Sequence, residues 1–406
     1  MTTHFGNLFR VLSGLAVLLV ISTAAMAQPG AVKTVGIKSA VLGEERVVLV
    51  RLPAGYENNK LRYPVLYMTD GDGHMGHTAS TVDFLTRNGR MADLIVVGVT
   101  NTDRTRDLTP TKSAAKNAAG NLQWPTSGGA DNFLKFFETE LIPAIEKDYR
   151  VQPYRIFAGH SLGGLFAIHA MVSKPGLFNS YISVSPSLQW DNGVTLKRAE
   201  EFLKNQKESN VTLYVSLGNE PGPIGDSFDA FKAMLAKTNI KGFAWQAEHL
   251  TDEDHGSVVL RSHYAGLRKV YDGWLGPRDL QTGAIEGGLK GADEHYKKLS
   301  ERFGYAIPVP EALINQMGYQ LLFANNPDEA IATFKANVER YPDSANVYDS
   351  LAEAYERSGK FDLAEPLYDK AQKLGQQNND PNAQIYKTNY ERVHAKLKES
   401  QSTKKQ

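Results

Sequence analysis

The chain has no cysteine among its 406 residues. That absence removes disulfide staples, thiolate nucleophiles and cysteine metal sites together. An excess of either charge is missing too, with 45 basic residues against 45 acidic ones. Such a balance leaves no electrostatic footprint for nucleic acid or an anionic membrane surface, and neither is expected as a partner. Long apolar runs are absent beyond the first residues. There, Arg10 precedes an apolar stretch over residues 11–21, too short to span a bilayer, and Ala25-Met26-Ala27 forms an Ala-x-Ala cleavage pattern. Residues 1–27 are therefore expected to be a signal peptide cut after Ala27, leaving a mature protein that is periplasmic or secreted and has no membrane span. Stability has to come from apolar cores, and the length suffices for one large domain and a smaller one.

What is present has a clear order. Residues 47–52 alternate and run into Pro53-Ala54-Gly55, while residues 64–68 and 94–99 are continuous apolar runs, as buried parallel strands require. Phe133, Phe137, Leu141 and Ile145 recur every four residues and predict one amphipathic helix ending near Tyr149. A strand then runs to Ser161, followed by strands at 181–184, 211–217 and 243–247. A helix bearing Phe228, Phe231, Met234 and Leu235 separates the last two. This alternation predicts an α/β fold with a doubly wound, mostly parallel sheet and reactive groups at the strand C-termini.

From about residue 280 the strand signal stops. Gly287-Gly288 and Gly291 interrupt the chain, and a 34-residue repeat follows. It matches Gly318 with Ala352, Leu321 with Tyr355, Ala330 with Ala364 and Phe334 with Tyr368, and Pro342 closes the first copy. Alternating small and large positions let paired helices nest, the tetratricopeptide pattern, and such repeats can seat a protein partner. The expected boundaries are a signal at 1–27, the sheet domain at 28–277, a connection at 278–308, helical repeats at 309–398 and a frayed tail at 399–406.

The segment Ala158-Gly159-His160-Ser161-Leu162-Gly163-Gly164 lies between an apolar strand and an apolar helix. A serine there sits on a turn so tight that its neighbours must be nearly free of side chain. The turn lifts the hydroxyl above the sheet and aims free helix N–H groups at whatever it attacks. This is the nucleophile elbow of an α/β-hydrolase, and it predicts acyl-transfer chemistry on Ser161.

A serine hydroxyl needs a base, and the base an orienting acid, in the chain order serine, acid, histidine. His255 lies in a polar loop after the last strand and is favoured over His249, which stands nearer that strand. Glu220, in the turn Gly218-Asn219-Glu220-Pro221, is the favoured acid. Asp226 and Asp229 follow it, Asp252 and Asp254 come later, and a dyad without an acid is the remaining alternative. Backbone N–H groups of Leu162 and Asp72 are expected to bind the oxyanion, the latter from the loop Thr69-Asp70-Gly71-Asp72-Gly73-His74. With His77, that loop also admits a weaker metal reading; no metal and no cofactor are expected. Arg104 and Arg106 would hold an anionic part of a substrate, unless they pair with Asp103 and Asp107. Trp190, with Trp124, would form an apolar wall at the rim.

Taken together, Tyr63-Pro64-Val65-Leu66-Tyr67-Met68, Asp70-Gly71-Asp72, residues 104–110, Gly159-His160-Ser161-Leu162-Gly163-Gly164, Ser185-Pro186-Ser187 and Asp254-His255 resemble the putative-esterase family, which is similar to esterase D and the enterobactin esterases. The resemblance covers about residues 32–274. It implies carboxylic-ester hydrolysis by Ser161, His255 and an acid in the 218–220 turn, on substrates that range from siderophore trilactones to acyl-glutathione and carbohydrate esters. The expected activity is thus a secreted serine esterase acting on a small-molecule ester. Acyl transfer to another acceptor, or a binding scaffold acting through the repeats, are the alternatives.

Overall fold

The computed structural model describes residues 31–276, 278–279 and 283–403. The expected signal peptide lies outside the described residues. Eight strands form one sheet: β1 (Val32–Ser39), β2 (Glu44–Arg51), β3 (Tyr63–Met68), β4 (Ile95–Val99), β5 (Val151–His160), β6 (Ser180–Val184), β7 (Thr212–Leu217) and β8 (Ala244–His249), in the order β1-β2-β4-β3-β5-β6-β7-β8. β1 pairs with β2, and β2 with β4, antiparallel; every other pairing is parallel. Strands β3, β4, β6 and β7 are buried at every position, which is why β3 and β4 are apolar without alternation and β6 and β7 add only small hydroxyl residues, Ser180, Ser183, Thr212 and Ser216.

Side chains still divide between two faces with a period of two. Val65, Tyr67 and Phe157 point into one core with Phe137, Phe166 and Phe178, while Leu66, Met68, Ile156 and Ala158 join a second. The first core is closed by α3 (Ala130–Phe136), a π-helical turn over Phe137–Leu141 and α4 (Ile142–Asp148), and by α5 (Leu162–Ser173), α6 (Trp190–Asn205) and α7 (Pro223–Ala236). The second is closed by α1 (Gly71–Arg87) and α8 (Val258–Val270). The short helix α2 (Arg104–Leu108) follows β4.

Three expectations change here. Phe133 to Ile145 is not one uniform α-helix, because a spacing of four drifts around 3.6 residues per turn and the wider π turn resets the face. Residues 71–74 form the first turn of α1 rather than a loop. Strand β1 was not expected at all; its residues are largely exposed.

After the sheet come α9 (Gly288–Phe303), α10 (Glu311–Phe323), α11 (Pro327–Arg340), α12 (Ala345–Arg357), α13 (Phe361–Gln377) and α14 (Ala383–Thr403). Most of the expected connection at 278–308 is α9, and it packs on the sheet domain. Phe303 lies with its ring centroid 4.7 Å from Tyr154 and stacks 5.1 Å from Tyr271. Helices α10 and α11 form a hairpin, α12 and α13 a second, displaced by 34 positions along the chain. A Cβ on Gly318 would stand 2.5 Å from the Phe334 ring, and Ala352 and Tyr368 occupy the equivalent buried positions. Among the described residues no helix is long and apolar enough to cross a membrane.

Candidate active site

β5 ends at His160 and α5 begins at Leu162, so Ser161 makes the whole turn. Its φ of 60° and ψ of −113° are costly for a residue with a side chain. Glycines make the turn possible. A Cβ on Gly159 would lie 2.2 Å from the Gly163 carbonyl oxygen, and one on Gly163 would lie 2.3 Å from Thr69 Oγ1. The Ser161 N–H donates to the Val184 carbonyl at 2.9 Å, which locks the elbow to β6.

Base and acid arrive from the next strands. The turn after β7 and the loop after β8 are stapled by backbone: Leu250 N–H donates to Leu217 O at 2.8 Å, and Asn219 N–H to Glu253 O at 2.6 Å. Gly218 is required there, since a Cβ would stand 3.0 Å from the Glu253 and Asp254 carbonyls. In this frame Glu220 Oε1 pairs with His255 Nδ1, and Oε2 accepts from Gly218 N–H at 3.3 Å. The Glu220 side chain is 9 % exposed and that of His255 43 %, so the carboxylate is sheltered while the imidazole stays reachable from solvent. The His255 ring lies 4.6 Å, centroid to centroid, from that of His160, the residue before the nucleophile. With Nδ1 engaged by Glu220, Nε2 is the nitrogen left for the serine proton.

The competing residues have other duties. His249 Nε2 bonds Gly218 O at 3.0 Å and braces the acid turn from below. Asp226 and Asp229 lie on α7. Asp252 pairs with Arg261, and Asp254 accepts from the N–H groups of Gly256 and Ser257 at the start of α8.

Leu162 and Asp72 occupy the first turns of α5 and α1, where N–H groups have no partner within their helix. The contact between Gly163 and Thr69 makes those two turns neighbours. Asp70, the N-cap of α1, is itself held in a left-handed conformation at φ 55°.

Both arginines have carboxylate partners. Arg104 grips Asp70 through Nε at 2.6 Å and reaches the His160 carbonyl with Nη2 at 2.9 Å. Burial alone would raise the Asp70 carboxyl, but bonds from Arg104 and Asn101 bring it below its usual range. Arg106 is bonded to Glu44 at 2.6 Å and to Asp107 at 2.7 Å. Both guanidinium groups serve the frame. Only the pairing of Arg106 with Asp107 matches the local alternative, because Asp103 is spent capping α2.

Trp190 follows one turn after Ser187, whose carbonyl accepts its N–H at 3.0 Å, and its ring lies 6.1 Å from that of Trp124. Sequence reasoning gave Ser187 no role. Its hydroxyl stands 3.4 Å from Ser161 Oγ and its N–H bonds the Ser161 carbonyl. The signal was the serine pair after β6, the strand beside the elbow. An apolar groove of about 800 Å³ between α1 and α8, lined by Phe84, Leu260 and Tyr264, contains none of Ser161, Glu220 and His255.

Comparison with known proteins adds independent ground. Residues 39–257 match the family described as "Putative esterase". The ferri-bacillibactin esterase BesA of Bacillus subtilis is 34 % identical over 217 residues, 48 % of this chain and 75 % of that protein. The siderophore enterobactin esterase of Emericella nidulans is 30 % identical over 205 residues, 41 % of this chain and 67 % of that one. Among solved structures, the IroE-like serine hydrolase of Shewanella oneidensis has a TM-score of 0.66 at 28 % identity, covering 77 % of this chain and 100 % of that protein. The chain belongs to the putative esterase family and is an esterase.

Proposed function

We propose that the protein hydrolyses a polar carboxylic ester through an acyl-enzyme on Ser161. The observation that carries this reading is the pairing of Glu220 with His255 beside the Ser161 elbow. His255 takes the serine proton as Ser161 Oγ attacks the ester carbonyl, and the imidazolium is stabilised by Glu220. The N–H groups of Leu162 and Asp72 receive the oxyanion. His255 then returns the proton to the departing alcohol. Water repeats the cycle on the acyl-enzyme and releases the acid.

The substrate is of the siderophore type. The relatives named for ferri-bacillibactin and enterobactin support this reading, as does the Trp124–Trp190 pair, whose two rings stand at 54° to each other one turn after Ser187. Because Arg104 and Arg106 are bonded to Asp70, Glu44 and Asp107, they brace the site and do not grip an anion. The signal at 1–27 delivers the enzyme to the periplasm or beyond, and the two 34-residue hairpins are tetratricopeptide-like repeats.

Ser161→Ala should lower kcat on a chromogenic ester by roughly three to six orders of magnitude and abolish labelling by a fluorophosphonate. Equal turnover by both proteins would end this reading. Mass-spectrometric products from a siderophore trilactone, a short acyl ester and a sugar ester fix the substrate class. An untouched trilactone beside rapid turnover of the short ester would remove the siderophore assignment alone.

A further inference from the structure

Behind the base runs a row of imidazoles that the reaction does not use. The ring centroid of His160 is 4.6 Å from that of His255 and 5.6 Å from that of His74. His74 in turn lies 5.1 Å from His77 and 6.0 Å from His263. The rings come from β5, α1, α8 and the loop before α8, so the fold brings them together deliberately from distant sequence. They pack ring to ring, and among the described residues no group of three or more His, Cys, Asp or Glu is placed to hold a metal ion.

Position and environment single out His160. Its main-chain carbonyl is tied down by Arg104. Its Nε2 is buried with no hydrogen-bond partner, as are those of His77 and His263. Burial first, then the neighbouring His255 and His74, lowers the His160 pKa to about 4. Burial likewise lowers those of His74, His77 and His263.

We propose that His160 is a positioning residue for the catalytic base: its uncharged ring is the floor on which the His255 ring rests, and a proton on His160 displaces that base from Ser161. This rests on the triad reading given above. A charge on His160 would find little to balance it. The facing groups are His255, His74 on α1, the Asp70 carboxylate and the Arg104 guanidinium, with Asp72, His77 and His263 beyond them. The Asp70 carboxylate is committed to Arg104 and Asn101. With the serine proton on His255, a protonated His160 would set two like charges on rings whose centroids are 4.6 Å apart. Acid then acts twice, once on the chemistry of His255 and once on its placement.

The test is the acid limb of kcat/KM on a chromogenic short-chain ester. In the wild type it should fall about tenfold per pH unit, and below about pH 4 it should steepen toward a hundredfold per unit. His160→Asn keeps an amide donor but loses the ring and the titration; His160→Phe keeps a flat ring without titration. Both should hold the limb at about tenfold per unit. At neutral pH, Asn should lower kcat about 10- to 100-fold with KM little changed, and Phe should restore most of that loss. Near-ultraviolet circular dichroism at each pH separates these effects from unfolding. A wild-type limb that never steepens overturns the proposal without recourse to a variant, and so do folded variants with wild-type kcat and slope. Fluorophosphonate labelling of Ser161 and the inactivity of Ser161→Ala are read in parallel. If those fail, the triad reading falls; if they hold while the His160 results fail, only this proposal does.

Discussion

The catalytic edge of the sheet and the helical region after residue 283 are held together by different kinds of interaction. At the edge, single atoms decide. Ser161 keeps a left-handed backbone because Gly159 and Gly163 leave no room for a methyl group, and Glu220 reaches His255 because Gly218 lets two loops touch. In the helical region, area decides. Gly318 against Phe334 and Ala352 with Tyr368 repeat one small-to-large nest, with Leu351, Tyr355 and Val393 filling the gaps. A strained, atom-specific arrangement therefore holds the first region and a repeated packing of small against large residues the second. Activity should be fragile at the first and indifferent to the second.

Glu220→Gln gives the largest effect within this contrast. The amide keeps the size of the carboxylate but not its charge, and it can leave His255 in the wrong tautomer. We expect kcat to fall about 10²- to 10⁴-fold while the melting temperature barely moves. Wild-type turnover would mean that the acid lies elsewhere and that the sheltered carboxylate serves only structure.

Phe334→Ala is its counterpart. The ring is fully buried against Gly318, and its loss should cost about 3–5 kcal/mol in the helical region, read by denaturant unfolding of the full chain. Ester turnover under native conditions should stay within about twofold. A large fall in kcat at temperatures where the protein stays folded would show that the two regions are energetically one. The packing of Phe303 on Tyr154 and Tyr271 is the route by which such coupling would travel.

The parts legible in the sequence share a physical character. Strands β3 and β4 read clearly because burial on both faces forces unbroken apolar runs. The elbow read clearly because three glycines around one serine have few other uses. The 34-residue repeat was legible because nesting needs a small residue opposite a large one. What escaped depends on contacts across the chain. The first turn of α1 looks like a loop because it carries two glycines, and only the structure shows that Gly71 must pass the Gly98 backbone, where a Cβ would stand 2.6 Å away. The partners Asp70 and Glu44 of Arg104 and Arg106 escaped because they stand 34 and 62 residues away, where only Asp103 and Asp107 were in local reach. Ser187 and His160 gain their roles from neighbours on other strands and loops, which no local pattern announces.

The smallest expected effect is also the sharpest test of the contrast, because acid should move the two regions in opposite directions. His160, at about 4 in the fold against 6.5 when exposed, binds fewer protons folded than unfolded between those values. Its contribution to stability is therefore complete above about pH 6.5 and lost as the pH falls toward 4. Asp349, on α12, has the reverse sign. Burial, together with Glu353 and Glu356 and against the Asn389 hydrogen bond from α14, raises it from 3.8 to about 6. The folded state then binds the extra proton, and its contribution is complete below about pH 3.8 and lost as the pH rises through 6. Each term is on the order of 3 kcal/mol at most, and between pH 4 and 6 they oppose one another. A single melting temperature would hide both, so the measurement is amide hydrogen exchange, corrected for intrinsic rates, across that interval. Protection in β5 and α5 should rise with pH while protection in α12 and α14 falls, and Asp349→Asn should flatten only the second trend. Trends of the same sign in both regions would show that their stabilities are not independently set.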